Sequence, residues 1–486
     1  MTVGGSASIA DIVGVSATLA ATLLGGGGAV VPLELSVRET GYVLAPVLFV
    51  TGACWTLYSS WALLKVSHLT QEDSYESAAL RTLGKMGSYI VQGVIILNNF
   101  LICVSIQGLF VDLMGPILER STMVILSGVA ALPMTAGIRR VERLAPLSII
   151  TALTAVVFAG FVVARFAMGP LPTRHIAPGP SGSKPATVWL DGFSTMVIAF
   201  VVQFNVLPLF ASLPPVNAQG SMMAALLLGL GLSLLLYLTM DLCSYLTFGG
   251  LDYVSTLDAY MAMGGGGAAT NVFGIGQLLS YPILAYSAVG ESGKILLGLW
   301  QSLNPGARPK PPNEKSTLLI GGEKGKGAAA AATASSTSAP AATLDPKAGP
   351  GAAGRAASEA QTAFIAERLA AVLWVLCTTV LAFLVPDVSS LLAVVGASCA
   401  TPLMTIFPPL MLLRCEANKG DPLRPLHAVL CGLGCLMTCA GLVVSIMDFG
   451  GADDALPPTS EATWDYSSWI RFRSSSVFAA PSERPV

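Results

Sequence analysis

The chain has 486 residues, of which 53% are hydrophobic and only 11% are charged. Soluble globular proteins carry about 25% charged residues, so a soluble chain of this length could not cover its surface. The composition excludes an ordinary soluble enzyme, a disordered protein and a nucleic-acid-binding protein with a basic face. It fits a chain that is surrounded mostly by lipid. The net charge of −2 points to no particular partner, and we predict no binding to nucleic acid.

Eleven apolar segments are long enough to cross a membrane, since a spanning helix needs about 20 mostly apolar residues. The sequence therefore predicts an all-α integral membrane protein with about eleven transmembrane helices. An outer-membrane barrel would instead show alternating strands of about ten residues. In chain order the segments are 9–35, 41–66, 88–114, 121–138, 145–168, 189–212, 219–247, 270–298, 364–385, 388–413 and 426–448.

The basic residues predict the orientation, because Lys and Arg concentrate in cytosolic loops. With a cytosolic N-terminus, 18 of the 26 Lys and Arg residues lie on the cytosolic side, five on the opposite side and three in the C-terminal tail. We therefore predict a multi-pass protein whose N-terminus is cytosolic. Eleven helices then place the tail outside the cytosol.

The chain divides into four parts. Residues 1–302 hold helices one to eight, and residues 362–448 hold helices nine to eleven. Residues 303–361 between them are rich in Ala, Gly, Ser and Pro and cannot bury enough apolar surface to fold, so we predict a disordered cytosolic loop. A passive insert and a regulatory or docking segment are both open. Residues 449–486 form the predicted extracytosolic polar tail.

The first segment is interrupted by Gly25, Gly26, Gly27 and Gly28, and Pro32 follows. Glycine is a poor helix former, and proline lacks a backbone donor. Unpaired backbone groups are costly in lipid, so such a break is tolerated only where it lines a protein cavity. The N–H groups at the start of the second half-helix would attract a carboxylate. Close helix packing is the alternative interpretation.

The sixth segment contains a similar interruption at residues 203–208. Polar Gln203 and Asn205 flank Phe204 in an otherwise apolar run, and Pro208 follows. Interrupted helices at corresponding places in two halves of a chain are typical of the midplane site of a secondary transporter. Hydrogen bonding between helices would also explain the two polar side chains.

Four stretches resemble the amino acid/auxin permease family, which includes sodium-coupled neutral amino acid transporters and vacuolar amino acid transporters. The first combines the glycine-rich first helix with Ala199-Phe200-Val201-Val202-Gln203-Phe204-Asn205-Val206-Leu207-Pro208-Leu209-Phe210. The others are Tyr75 through Leu83-Gly84-Lys85-Met86-Gly87, Ser244-Tyr245-Leu246-Thr247-Phe248-Gly249, and Ser280-Tyr281-Pro282. The resemblance covers residues 9–300 by motif and residues 364–448 by hydropathy.

The resemblance implies a LeuT-like core in which helices 1–5 and 6–10 are inverted repeats and helices one and six are broken. It also implies amino acid transport by alternating access. The substrate would meet the unwound backbone of helices one and six, with the glycines on the carboxylate side. The implied substrate-binding residues are Gly25, Gly26, Gly27, Gly28, Gln203, Phe204 and Asn205.

The same resemblance bears on the coupling ion. Sodium-coupled members hold the ion between helices one and eight, with an asparagine shortly before the glycines. Ala21 takes that place here, although Thr22 and Ser280 still offer hydroxyl oxygens. Proton coupling is therefore favoured over sodium. Glu34, six residues past Gly28, is the predicted proton-binding group, because ionisable residues within spans are functional candidates.

The leading hypothesis is a proton-coupled amino acid symporter, or a vacuolar exporter of the same family, in the plasma membrane or the vacuolar or lysosomal membrane. The alternatives are a sodium-coupled amino acid symporter and an amino acid sensor that transports little. An enzyme is disfavoured, because no intramembrane histidine has an evident carboxylate or cysteine partner. No catalytic residue, metal site or cofactor is predicted, and the amino acid itself stays open.

Overall fold

The computed structural model describes residues 7–25, 30–114, 118–137, 144–168, 192–193, 196–215, 217–248, 260–261, 266–303, 350–385 and 388–451. Residues 1–445 form one compact unit. A second unit comprises residues 446–486, of which only the backbone of 446–451 is described.

The described residues fold into eleven helices and contain no strand. Helix α10 is continuous from Val388 to Arg414 and includes two π-helical stretches, Gly396–Ala400 and Pro402–Ile406. The others are α1 (Ile9–Gly25), α2 (Val30–Thr70), α3 (Tyr75–Met114), α4 (Arg120–Gly137), α5 (Ala145–Met168), α6 (Gln203–Ser212), α7 (Ala218–Phe248), α8 (Gly266–Leu303), α9 (Pro350–Leu384) and α11 (Arg424–Gly451).

Each of the eleven predicted segments has a helix in the structure. Eight helices are long and apolar enough to span a membrane, and two shorter apolar helices, Ile9–Gly25 and Met196–Ser212, accompany them. The outer faces of the bundle are apolar, as lipid requires. On α5, α9 and α11 these faces expose Leu153, Val156, Val157, Leu373, Leu376, Val380, Leu436 and Val443. The chain is a multi-pass integral membrane protein with an all-helical fold.

Three helix ends differ from the hydropathy prediction. Helix α2 begins at Val30, so residues 36–40 continue a helix where a loop between the first two spans is predicted. Helix α3 begins at Tyr75, thirteen residues before its predicted start, and α9 begins at Pro350 inside the predicted disordered loop. Hydropathy marks where a helix leaves lipid, whereas polar or alanine-rich residues continue the same helix into water. Residues 304–349 and 452–486 lie outside the described residues.

Helix α3 is bent near its start. Gly84 has φ +77° and ψ −175°, a conformation that a residue with a side chain rarely adopts. The short stretch from Tyr75 to Leu83 is therefore angled against the transmembrane part of α3.

Helices α1 and α8 lie in the middle of the bundle. Helix α1 packs against α5, α7 and α8, and α8 also packs against α3, α5 and α9. Glycines make two of these contacts close. A Cβ on Gly229 of α7 would lie 2.7 Å from the Ser16 carbonyl oxygen of α1, and one on Gly276 of α8 would lie 1.8 Å from Thr154 Oγ1 of α5. Small residues allow such close helix contacts in membranes, where lipid provides no hydrophobic drive.

Helix α11 is joined to α2 by a buried polar cluster. The Tyr58 hydroxyl lies 2.7 Å from Nδ1 of His427, which is fully buried. His427 Nε2 lies 3.4 Å from Asp421 Oδ2, and Lys65 forms a salt bridge with the same carboxylate. The expectation that no histidine has a carboxylate partner is therefore wrong. Asp421, six residues before His427, is brought beside it by the turn that precedes α11.

The Lys65 ammonium holds the pKa of Asp421 well below its usual range, and the Leu423 N–H adds to this. Because the folded-state pKa is depressed, the carboxylate stabilises the fold above the ordinary carboxyl range near pH 4, and this contribution is lost as the pH falls. Asp421→Asn is expected to lower the unfolding temperature at pH 7, and the difference from wild type should shrink below about pH 4.

Thermal unfolding of the detergent-solubilised protein at pH 7 and pH 3 checks this. The matched control is Glu416→Gln in the same loop, since the ion pair of Glu416 with Lys419 is exposed and contributes little. An equal or larger difference at pH 3 would contradict the assignment.

Candidate functional site

The break in the first helix lies against α8. Helix α1 ends at Gly25, which is buried. A Cβ built on Gly25 would lie 2.2 Å from both Cβ and Oγ of Ser280, so only a glycine fits between α1 and this part of α8. The structure thus brings together one predicted substrate residue and one predicted ion-coupling residue. Residues 26–29 lie outside the described residues, so Gly26, Gly27 and Gly28 stay predictions.

The sixth helix is broken, but not at the predicted place. A short helical turn at 196–200 ends before Val201 and Val202, and helix resumes at Gln203. Val202 has φ −136° and ψ −3°, and its N–H donates to Oε1 of Gln203 at 2.9 Å. The predicted interruption at 203–208 is therefore wrong in position. Those residues are helical and Pro208 lies inside α6, while the Gln203 side chain accepts from the Val202 N–H at the break.

The three predicted residues of helix six occupy the first turn of α6, and all are buried. Asn205 Nδ2 donates to Thr22 Oγ1 of α1 at 3.1 Å, and Thr22 Oγ1 in turn donates to the Thr18 carbonyl oxygen at 2.8 Å. Gln203 Nε2 donates to Ser59 Oγ of α2 at 2.7 Å. The two broken helices are thus joined directly, one turn before the end of α1.

Tyr237 of α7 touches both breaks, and sequence reasoning missed it. Its hydroxyl donates to the Leu23 carbonyl oxygen near the end of α1, and it lies 3.3 Å from the Ala199 carbonyl oxygen in the turn before α6. The last carbonyl groups of a helix have no partner within that helix. A single buried hydroxyl therefore serves the open ends of two helices. The only signal in the sequence is a tyrosine within the apolar run of residues 234–238.

Thr56 of α2 donates a hydrogen bond to the Phe200 carbonyl oxygen, next to that of Ala199 in the break. Its Oγ1 lies 2.9 Å from the Phe200 carbonyl oxygen and 3.0 Å from Met404 Sδ of α10. Aromatic rings enclose the same point. The ring centroids of Phe49, Phe200 and Tyr237 lie 5.7 to 6.3 Å apart, within the range of favourable aromatic contacts. The open backbone is therefore shielded by side chains from α2 and α7.

The predicted ion-coupling residues are partly brought together. Thr22 and Ser280 are both buried. Thr22 lies near the C-terminal end of α1, and Ser280 lies within α8. The Ser280 hydroxyl donates to the Gln277 carbonyl oxygen at 2.6 Å, so its proton is used within its own helix while its oxygen faces Gly25. Residue 34 belongs to α2, but the side chain of Glu34 lies outside the described part of the chain. The described residues contain no cluster of His, Cys, Asp or Glu that could hold a metal.

The chain matches one protein family and is similar to several solved structures. Residues 12–449 match the family described as transmembrane amino acid transporter protein. None of the curated proteins matches the chain. Among solved structures, the chain is similar to the manganese transporter of Eremococcus coleocola in complex with an aromatic bis-isothiourea substituted compound. The identity is 11%, the TM-score is 0.49, and the match covers 98% of this chain and 95% of that one.

A second solved structure of this kind is a Na⁺-coupled sialic acid symporter in a substrate-bound outward-open state. Its identity to this chain is 10% and the TM-score is 0.48. The match covers 91% of this chain and 90% of the symporter.

Proposed function

We propose that this chain, which belongs to the transmembrane amino acid transporter family, moves amino acids across a membrane by alternating access. The observation that carries the proposal is the pairing of two helix breaks. The end of α1 and the break before α6 are held to each other by Asn205 and Thr22 and by the Tyr237 hydroxyl. Broken helices of this kind expose backbone groups that bind the charged ends of a substrate.

The substrate's carboxylate fits the N–H side of these breaks. The first N–H groups of a helix have no partner within it and carry partial positive charge. The start of α6 at Gln203 supplies such groups. The glycines after Gly25 are proposed to supply others. The substrate's amine fits the carbonyl side, where Leu23, Ala199 and Phe200 offer oxygens. Phe204 and Asn205 would shape the pocket for the side chain.

We further propose that a proton, rather than sodium, is the coupling ion. Ala21 offers no side-chain oxygen at the position where sodium-coupled relatives have an asparagine, and the Thr22 hydroxyl oxygen already accepts a hydrogen bond from Asn205 Nδ2. Glu34 remains the proton-binding candidate from the sequence. We also propose that the N-terminus lies in the cytosol. The protein would lie in the plasma membrane or in the vacuolar or lysosomal membrane.

Uptake into proteoliposomes tests the proposal. The purified chain is reconstituted and offered a panel of radiolabelled amino acids under an imposed pH gradient, an imposed sodium gradient, or neither. For one proton per amino acid, a gradient of one pH unit supports about tenfold accumulation. We expect the pH gradient to drive uptake of at least one panel member and the sodium gradient to add nothing.

Three outcomes would contradict parts of the proposal. Sodium-driven uptake alone would replace the proton with sodium. Binding of an amino acid without uptake or exchange would favour the sensor. Neither binding nor exchange of any panel member would reject an amino acid as the substrate.

A further inference from the structure

A line of polar side chains runs along one face of α8. It comprises Gln277, Ser280 and Glu291, which are buried, and Ser287, which is partly buried, and it spans fifteen residues, or about four helical turns. Ser280 is fully buried at the end of α1, and Glu291 is only 8% exposed. Polar and ionisable groups inside a membrane are costly to bury and are retained for function. The face therefore leads from a carboxylate near one end of the bundle to the helix break.

Helix α3 supplies the partners of this face. Gln92 Nε2 donates to Glu291 Oε2 at 2.8 Å, and Asn99 Nδ2 donates to Ser287 Oγ at 3.0 Å. The two helices run antiparallel, so residue numbers rise on α3 as they fall on α8. We name Gln92, Asn99, Gln277, Ser280, Ser287 and Glu291 the α3–α8 seam. Asn98, fully buried, extends it by donating to Asn99 Oδ1 at 3.1 Å.

Some polar atoms along the seam have no protein partner. Both amide atoms of Gln277 and the Oδ1 of Asn98 are buried without a hydrogen bond from any residue that the structure describes. Buried polar groups in native proteins are almost always satisfied, and ordered water supplies the partner where the protein does not. Ordered water is therefore the expected partner of these atoms.

Three charged side chains meet at the Glu291 end of the seam. Lys294, on the same helix, forms a salt bridge with Glu291, and Glu76 of α3 is the second carboxylate within electrostatic reach. Glu367 of α9, whose backbone lies against Gly293, is exposed at the surface of the bundle. The carboxylates of Glu76 and Glu291 share the single ammonium of Lys294. The three side chains together therefore carry one excess negative charge, and one bound proton would neutralise it.

Other acidic side chains do not combine burial with this position. Asp112 of α3 pairs with Arg120 at 2.6 Å, and both side chains are 42% exposed. Asp241 is buried in α7, which is not part of the seam. Glu291 is the described carboxylate that is buried and lies on the face that reaches Ser280.

We propose that Glu291 binds the coupled proton and that the α3–α8 seam links this site to the helix break. The proposal rests on proton coupling as proposed above, and it places the proton on Glu291 instead of Glu34. One proton from water adds to a carboxylate oxygen of Glu291, which weakens the contact with Lys294. The same proton leaves to water on the other side after the substrate has moved, and no other bond forms or breaks.

The test is Glu291→Gln, which keeps the size and the hydrogen bond to Gln92 but cannot take up a proton. Accumulation driven by one pH unit is expected to fall from about tenfold to none, and amino-acid-dependent proton entry, followed with a trapped pH-sensitive dye, should disappear. Exchange of the best panel amino acid at equal pH should stay within about twofold, because the substrate site is intact. Glu367→Gln, a nearby exposed carboxylate, is the matched control and should behave as wild type.

Glu291→Gln that still accumulates substrate within about twofold of wild type would overturn the proposal. If this variant does not fold, Gln92→Leu gives a second measurement. Removing the donor to Glu291 should move the pH midpoint of wild-type uptake, and an unmoved midpoint would overturn the proposal as well. Failure of the proposed function looks different, since wild-type protein would then show no pH-driven uptake at all.

Discussion

Gly25→Ala is expected to reduce amino acid uptake by about 100-fold or more, although it adds only one methyl group. The new Cβ would lie 2.2 Å from both Cβ and Oγ of Ser280, whereas carbon atoms in contact stay near 3.5 Å or beyond. Either α1 moves away from α8 or Ser280 is displaced. Overpacking of this kind costs about 1–3 kcal/mol, and a misplacement of about 1 Å at a substrate site can lower a rate about 100-fold.

Initial uptake rates in proteoliposomes, normalised to folded protein by size-exclusion chromatography, measure this effect. Gly14→Ala is the matched control on the same helix, since a Cβ there would lie 4.0 Å from Ala145 Cβ, an ordinary contact. The decisive variant is the double change Gly25→Ala with Ser280→Gly, which removes the colliding atoms. We expect the double variant to recover exchange of amino acid at equal pH. A double variant as inactive as Gly25→Ala would show that the contact with Ser280 does not cause the loss of transport.

Hydropathy predicted the helices well, and physics explains both its success and its limits. Lipid forces every spanning backbone into helix, so an apolar run of sufficient length has one available structure. The ends of the helices obey other rules. Residues 36–40 and 350–361 are polar or alanine-rich, and neither property stops a helix that has already formed. The start of α2 and the start of α9 therefore lie outside what hydropathy can locate.

The candidate site was predictable as a set of residues but not as a set of contacts. Glycines and buried amides marked the two breaks, and the structure places Gly25 on Ser280 and Asn205 on Thr22. The break in helix six lies at residues 201–202, where the Gln203 side chain accepts from the Val202 N–H, and not at Pro208. Pro208 is the sixth residue of α6, so the proline by itself does not mark where the helix is interrupted.

Tyr237→Phe is expected to slow transport by about tenfold to 100-fold while the protein still folds. The change removes one hydroxyl that donates to the Leu23 carbonyl oxygen and lies 3.3 Å from that of Ala199. A buried acceptor that loses its donor costs about 1–3 kcal/mol, and each 1.36 kcal/mol is about tenfold in rate when it falls on a barrier. The open ends of α1 and of the turn before α6 would then no longer share a donor.

Tyr281→Phe separates this effect from the loss of any buried hydroxyl. Tyr281 is equally buried, and its hydroxyl lies 2.7 Å from Thr378 Oγ1, between α8 and α9 and away from the contacts of Tyr237. Both variants should lose similar thermal stability, because each removes one buried hydrogen bond. Only Tyr237→Phe should lose uptake, since only its hydroxyl bridges the two broken helices on which the proposed substrate site depends. Equal uptake by the two variants would mean that the Tyr237 bridge supports the fold and not the transport cycle.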